Sequence, residues 1–83
     1  MQFDPAKNET NMAKHGVSLE RADEMVIQAV IEDDRQDYGE IRYRAFGLID
    51  AVAHCLVFTD REGVLRAISL RRAHRKEMKR YVA

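Results

Sequence analysis

Residues 71–83, RRAHRKEMKRYVA, concentrate the side chains that can handle a phosphate ester: arginines, a histidine, a carboxylate and a phenol. At 100° per residue, Arg72, Arg75, Lys76, Lys79 and Arg80 occupy helical positions i, i+3, i+4, i+7 and i+8, which makes one cationic face. His74, Glu77 and Tyr81 fall together on the opposite side. The first face suits phosphates or an acidic partner, and the second carries acid–base groups. A solvated basic helix docked through Met78 and Tyr81 has the same spacing, so the segment alone leaves both readings open.

Cleavage of RNA without a metal or cofactor matches this inventory. The nucleic acid brings its own nucleophile, the 2′-hydroxyl. The protein then has to polarise that hydroxyl, offset the charge building on the phosphorane oxygens, and give a proton to the 5′-oxygen that leaves. Arginine serves the second need well, because its planar fork grips two phosphate oxygens at once. Arg42 and Arg44 share one face of an expected strand, and Arg71 and Arg72 stand where another strand should end. If those strands are close in the sheet, the guanidiniums converge, with Glu77, His74 or Tyr81 available for proton transfer. Each has a plainer alternative: Glu77 as a bridge to Arg72 or Arg80, Tyr81 as a packing residue.

The elements that must position these groups are legible in outline. Asp4-Pro5 is a helix start, an N-cap followed by proline at the first helical position, and Gly16 is suited to the left-handed stop after His15. The apolar content of this helix is thin (Ala6, Met12, Ala13), which places it on the surface, with Phe3 before it as a short apolar anchor. Ser18 is the next N-cap. Leu19, Ala22, Met25, Val26, Ala29 and Val30 follow helical spacing and predict a second helix that becomes extended near Val30-Ile31, before the acidic stretch EDDRQDYGE. From Ile41 to Ile49 the pattern alternates, and Asp50-Ala51 is a turn. Val52 to Thr59 is a nearly continuous apolar strand, DREG a hairpin loop, and Val64 to Leu70 a further strand passing into the last helix. The expected fold is a single α+β domain over residues 1–83: two N-terminal helices, a twisted antiparallel sheet of three to four strands, and a C-terminal helix.

Composition narrows the function. The net charge is zero, yet residues 1–60 carry −6 and residues 61–83 carry +6. A basic end on a neutral chain favours a local anion site, or a grip on an acidic partner, over general coating of nucleic acid. His15, His54 and His74 lie far apart with no cysteine pair, so no metal site is expected. The cluster Glu32, Asp33, Asp34, Asp37 and Glu40 does not have calcium-loop spacing and is expected to be a solvated turn. Gly16, Gly39, Gly47 and Gly63 stand alone, which sets nucleotide-loop chemistry aside. The lone Cys55, in VAHCLVF, is expected to be a buried and inert thiol. Neither a signal peptide nor a membrane span is expected, and a cytoplasmic location follows.

Three segments, in order and at the right intervals, resemble the BrnT family of bacterial type II toxins. FDPAKNETNMAKHGVSLERA is similar to the family's aromatic–Asp–Pro–x–Lys–Asn start leading to Lys-His-Gly-Val-Ser. EDDRQDYGEIRYRAFGLID resembles its acidic Asp-Tyr-Gly-Glu-x-Arg turn, and AISLRRAHRKEMKRY its closing Ile-Ser-x-Arg-Arg/Lys-Ala-x-x-x-Glu-x-x-x-Tyr. The resemblance implies a RelE-like fold and a metal-independent, cofactor-free endoribonuclease that blocks translation. It also implies neutralisation by a BrnA-like antitoxin, through which alone the complex would meet operator DNA. Carried over by position, it implies Arg42, Arg71 and Glu77 as active-site residues, and Lys14 and His15 match its N-terminal Lys-His. With Tyr81 from the acid–base side of the last helix, the expected catalytic set is Arg42, Arg71, Glu77 and Tyr81; Lys14 and His15, with the cations read from spacing, Arg44, Arg72, Arg75, Lys76, Lys79 and Arg80, are the expected RNA-binding set. Asp50-Ala51 stands where the family commonly has Asp-Gly, so a looser turn is expected there. The rival readings are a noncatalytic nucleic-acid- or partner-binding module using the same basic helix, and a purely structural subunit.

Overall fold

In a computed structural model, which describes residues 1–82, the chain is a five-stranded sheet with helical segments on both sides. The elements are β1 (Gln2–Phe3), α1 (Pro5–His15), a 3₁₀ helix (Leu19–Glu24), β2 (Val26–Glu32), β3 (Arg42–Ile49), β4 (Val52–Arg61), β5 (Val64–Arg72) and α2 (Arg75–Tyr81). The sheet order is β1-β5-β4-β3-β2. β2 to β5 form an antiparallel meander, and β1 adds a short parallel strand along β5, which is how Phe3 anchors the N-terminus.

α1 begins and ends as its sequence predicts. Asp4 caps it by accepting the Ala6 N–H at 2.9 Å, and Gly16 closes it at φ 70°, donating to Met12 O. Its one buried residue is polar: Asn11 bonds both the N–H and the C=O of Leu70 in β5. The helix is held to the sheet chiefly by this hydrogen-bonded seam.

The expected second helix is corrected. Leu19–Glu24 is two turns of 3₁₀ helix, and the chain is already a strand at Val26. Leu19, Ala22 and Met25 are spaced by three, the repeat of a 3₁₀ helix, and all three are buried in the core. The β-branched Val26, Ile27, Val30 and Ile31 instead pair with β3 as its outer neighbour. The close approach of β2 needs Gly47, where a Cβ would stand 2.1 Å from Val26 O.

The pleat divides the sheet into two functional faces. Ala45, Ile49, Leu56, Phe58, Ala67 and Leu70 point to one side, where Leu19, Ala22 and Met25 complete the core. Arg42, Arg44 and Phe46 of β3, Cys55, Val57 and Thr59 of β4, and Ser69 and Arg71 of β5 share the other. α2 and the loop after β2 lie over this second face.

Asp50-Ala51 forms a tight two-residue turn closed by the Ile49–Val52 pair, not a loose one. Both turn residues have positive φ, 50° and 62°, the geometry of the hairpin turns that favour glycine. Ala51→Gly removes a left-handed strain on the order of 1 kcal/mol. Thermal unfolding is expected to rise by roughly 5 °C; an unchanged or lower midpoint would show that the turn is unstrained.

Candidate functional site

The final helix starts later than its sequence periodicity suggests, and this rearranges the cations. Arg72 is the last residue of β5, not a member of the helical stripe. Arg75, Lys76, Lys79 and Arg80 remain together on the exposed side of α2, while Glu77, Met78 and Tyr81 face inward. His74 is the N-cap residue.

Arg71 and Glu77 meet across the strand–helix junction. Arg71 donates Nη1–H to Glu77 Oε1 at 2.8 Å and Nη2–H to Oε2 at 2.9 Å, a bidentate pair. Nη1 also donates to Arg72 O at 3.1 Å, and Glu77 Oε1 accepts the His74 backbone N–H at 2.9 Å. The Arg71 guanidinium, helped by the His74 N–H, holds the Glu77 carboxyl well below the usual range, at about 2. Glu77 is therefore a fixed anion at neutral pH, and it sets the direction of the Arg71 fork.

Tyr81 closes the other end of α2 onto β3. Its ring stacks on Phe46 with centroids 4.9 Å apart, and its hydroxyl accepts from Arg44 Nη2 at 3.4 Å. Arg44 is buried, and among the described residues its Nε has no hydrogen-bond partner; the nearest anion, Asp33, is 3.9 Å away. A buried guanidinium donor without a partner is costly.

Arg35, which the spacing arguments did not single out, completes the group. Its guanidinium makes a bidentate pair with the buried Asp33, at 2.7 and 2.8 Å, and Tyr38 donates to the same carboxylate at 3.1 Å. This network holds Asp33 at about 2. The acidic segment is thus a folded lobe around Asp33, with only Asp34, Asp37 and their neighbours solvated. Beneath lies Cys55, fully buried, its thiol pushed up by burial while the charges of Arg71, Glu77, Arg44 and Arg35 all act on it. Cys55 is therefore a buried packing thiol and not a nucleophile.

β4 separates β3 from β5, so Arg44 and Arg71 stand two strands apart, about 10 Å across the sheet. Arg42 is one step farther along β3. It lies over the Tyr38 ring at 4.3 Å, with its Nε 3.9 Å from Glu40. Lys14 and His15 are at the end of α1 beside the β5 edge, where they border a small hollow with Ile68 and Ser69. His15 also borders a hollow of about 440 Å³ on the core side of the sheet, with Ser18, Arg21, Asp50, His54 and Arg72. There the His54 Nδ1–H donates to Val52 O at 2.7 Å.

The fold and this face define a class: small α+β domains whose sheet carries arginines on one face, here Arg71 paired to a carboxylate and Arg44 beside a phenol. The family comparison is narrower. The family described as "Ribonuclease toxin, BrnT, of type II toxin-antitoxin system" matches residues 3–77, and the chain belongs to that family. Searches of curated proteins and of solved structures returned no match.

Proposed function

We propose that this protein is the toxin of a type II pair, a metal-independent endoribonuclease that cuts cytoplasmic RNA and stops translation. The observation that carries the reading is the Arg71–Glu77 fork facing Arg44–Tyr81 across one sheet face. A phosphodiester between the two arginines would meet the Arg71 N–H groups that Glu77 leaves free on one side and the Arg44 guanidinium on the other. As the RNA 2′-hydroxyl gives its proton to solvent water and its oxygen bonds to phosphorus, both cations offset the charge gathering on the nonbridging oxygens. The P–O5′ bond then breaks, leaving a 2′,3′-cyclic phosphate. Tyr81 accepts from Arg44 and so keeps its own O–H to give to the departing 5′-oxygen.

Glu77 is a positioning residue in this scheme, because both its oxygens are engaged by Arg71 and the His74 N–H. Arg75, Lys76, Lys79 and Arg80 extend the cationic surface along the RNA backbone and Arg42 marks one end of it, whereas Arg72 turns to the opposite face of the sheet. Lys14 and His15 stand at the β5 edge beside Ser69 and are assigned no step in this scheme. The partner is a BrnA-like antitoxin protein, through which the complex would reach operator DNA.

The test is incubation of purified protein with RNA in EDTA, with the new ends mapped. Fragments ending in 2′,3′-cyclic phosphate are expected, together with growth arrest on expression that the product of the adjacent gene relieves. Tight RNA binding without cleavage would replace this reading with that of a noncatalytic binding module.

A further inference from the structure

The two edges of the sheet are treated differently. On the β5 side, β1 pairs with Arg66 and Ala67, and the Asn11 amide bonds both backbone groups of Leu70, so that edge is covered. On the other side β2 pairs with β3 alone. In an antiparallel ladder alternate residues turn their N–H and C=O outward, and on β2 these groups are unpaired among the described residues.

Bare edges are ordinarily blunted with lysine, proline or inward-facing charge. Residues 26–31, VIQAVI, contain none of these. The strand instead exposes apolar side chains to both faces: Val26 is 65% exposed, Ile27 48% and Val30 49%, and Ile41 beyond its end is 59% exposed. The one blunting device is a bulge between Ile27 and Ala29, after which Ala29 to Glu32 run as a regular ladder.

Charge decides what this edge accepts. Residues 20–40 hold eight acidic and two basic side chains, all of them outside the uncharged 26–31 run. Glu20, Asp23 and Glu24 stand at one end; Glu32, Asp34 and Asp37 are exposed at the other. Arg21 and Arg35 are already taken, by Glu24 with Asp50 and by Asp33. A second copy of this chain, pairing antiparallel, would set Glu32 and Asp34 against the partner copy's acidic end, which is repulsive. A strand with basic ends meets attraction at both.

We propose that β2 is a docking edge for an extended apolar segment of another protein, flanked by Lys or Arg, which adds a sixth strand beside Val26–Glu32. Main-chain hydrogen bonds supply the register, and the two acidic ends supply selectivity. Identifying that protein as the antitoxin rests on the toxin reading; the edge and its charge preference do not.

The experiment uses the full chain and two labelled synthetic peptides, both alternating valine and threonine, one with lysines at its ends and one with glutamates. Fluorescence anisotropy is expected to show the lysine-ended peptide binding at least about tenfold more tightly, a difference of about 1.4 kcal/mol. Amide exchange should slow within residues 26–32, and Val30→Lys, at an exposed position, should weaken binding by about tenfold or more with the circular dichroism spectrum unchanged. Equal binding of both peptides, protection elsewhere, or no binding would overturn the proposal. So would sedimentation showing a dimer that Val30→Lys dissociates, since the edge would then serve a second copy. Peptide binding without growth arrest would leave the edge standing and remove the toxin reading; growth arrest without peptide binding would do the reverse.

Discussion

Arg71→Ala is expected to slow RNA cleavage by about 10²–10³-fold, the usual loss when one preorganised donor to a developing oxyanion is removed. Arg71→Lys should recover little, because an ammonium cannot reproduce a fork held at 2.8 and 2.9 Å by Glu77. Glu77→Gln is expected to cost less, roughly tenfold, since the amide still offers one acceptor oxygen but no longer fixes the guanidinium. The loss should fall on the rate of the bound complex, with RNA affinity nearly unchanged, because the exposed cations of α2 remain.

The pH dependence separates positioning from proton transfer at Glu77. With its carboxyl held at about 2, Glu77 is ionised throughout the neutral range, so it should contribute no acidic limb to the cleavage profile above pH 5. An acidic limb that vanishes in Glu77→Gln would instead make Glu77 a proton-transfer group. Stability gives the matching signature. A carboxyl whose folded value is depressed stabilises the protein fully above its unfolded value, 4.5 here, and loses that contribution as pH falls towards about 2. The stability gap between wild type and Glu77→Gln should therefore be widest near neutrality and narrow from pH 4.5 downward, as followed by urea unfolding across that range.

The same pair shows what the sequence can and cannot disclose. Arg71 and Glu77 each stood out by type and motif, but their contact crosses a strand–helix junction that no single period describes. Arg35 was hidden because an arginine inside EDDRQDYGE reads as one charge among many; its role depends on Asp33 being buried. Capping signals were local and reliable: Asp4-Pro5 and Gly16 bound α1 where the structure bounds it. The misread element was residues 19–30. Leu19, Ala22 and Met25 satisfy a repeat of three as well as one of 3.6, and the residues that follow expose both faces at an edge, so neither helical nor strand periodicity marks them.

A second large effect lies far from the arginines. Asn11→Ala is expected to destabilise the fold by about 3 kcal/mol, in a domain whose total stability at 0.05–0.15 kcal/mol per residue is roughly 4–12 kcal/mol. Asn11 is 4% exposed and makes three hydrogen bonds: Nδ2 donates to Val17 O at 2.9 Å and Leu70 O at 2.8 Å, and Oδ1 accepts from Leu70 N at 3.0 Å. Truncation strands three backbone groups at once and unfastens α1, which has no buried apolar residue to hold it. Thermal unfolding should fall by roughly 15 °C. Asn11→Asp is nearly isosteric and tests the cause. It removes both Nδ2 donors and sets a carboxylate against the Val17 and Leu70 carbonyls, so it should be worse than alanine at pH 7. Its folded pKa would be raised, so the penalty should ease as pH drops towards the ordinary aspartate value of about 3.9. A loss below about 1 kcal/mol for Asn11→Ala, or an aspartate variant as stable at pH 7 as at pH 4, would mean that water satisfies Leu70 and that α1 is held by something other than this amide.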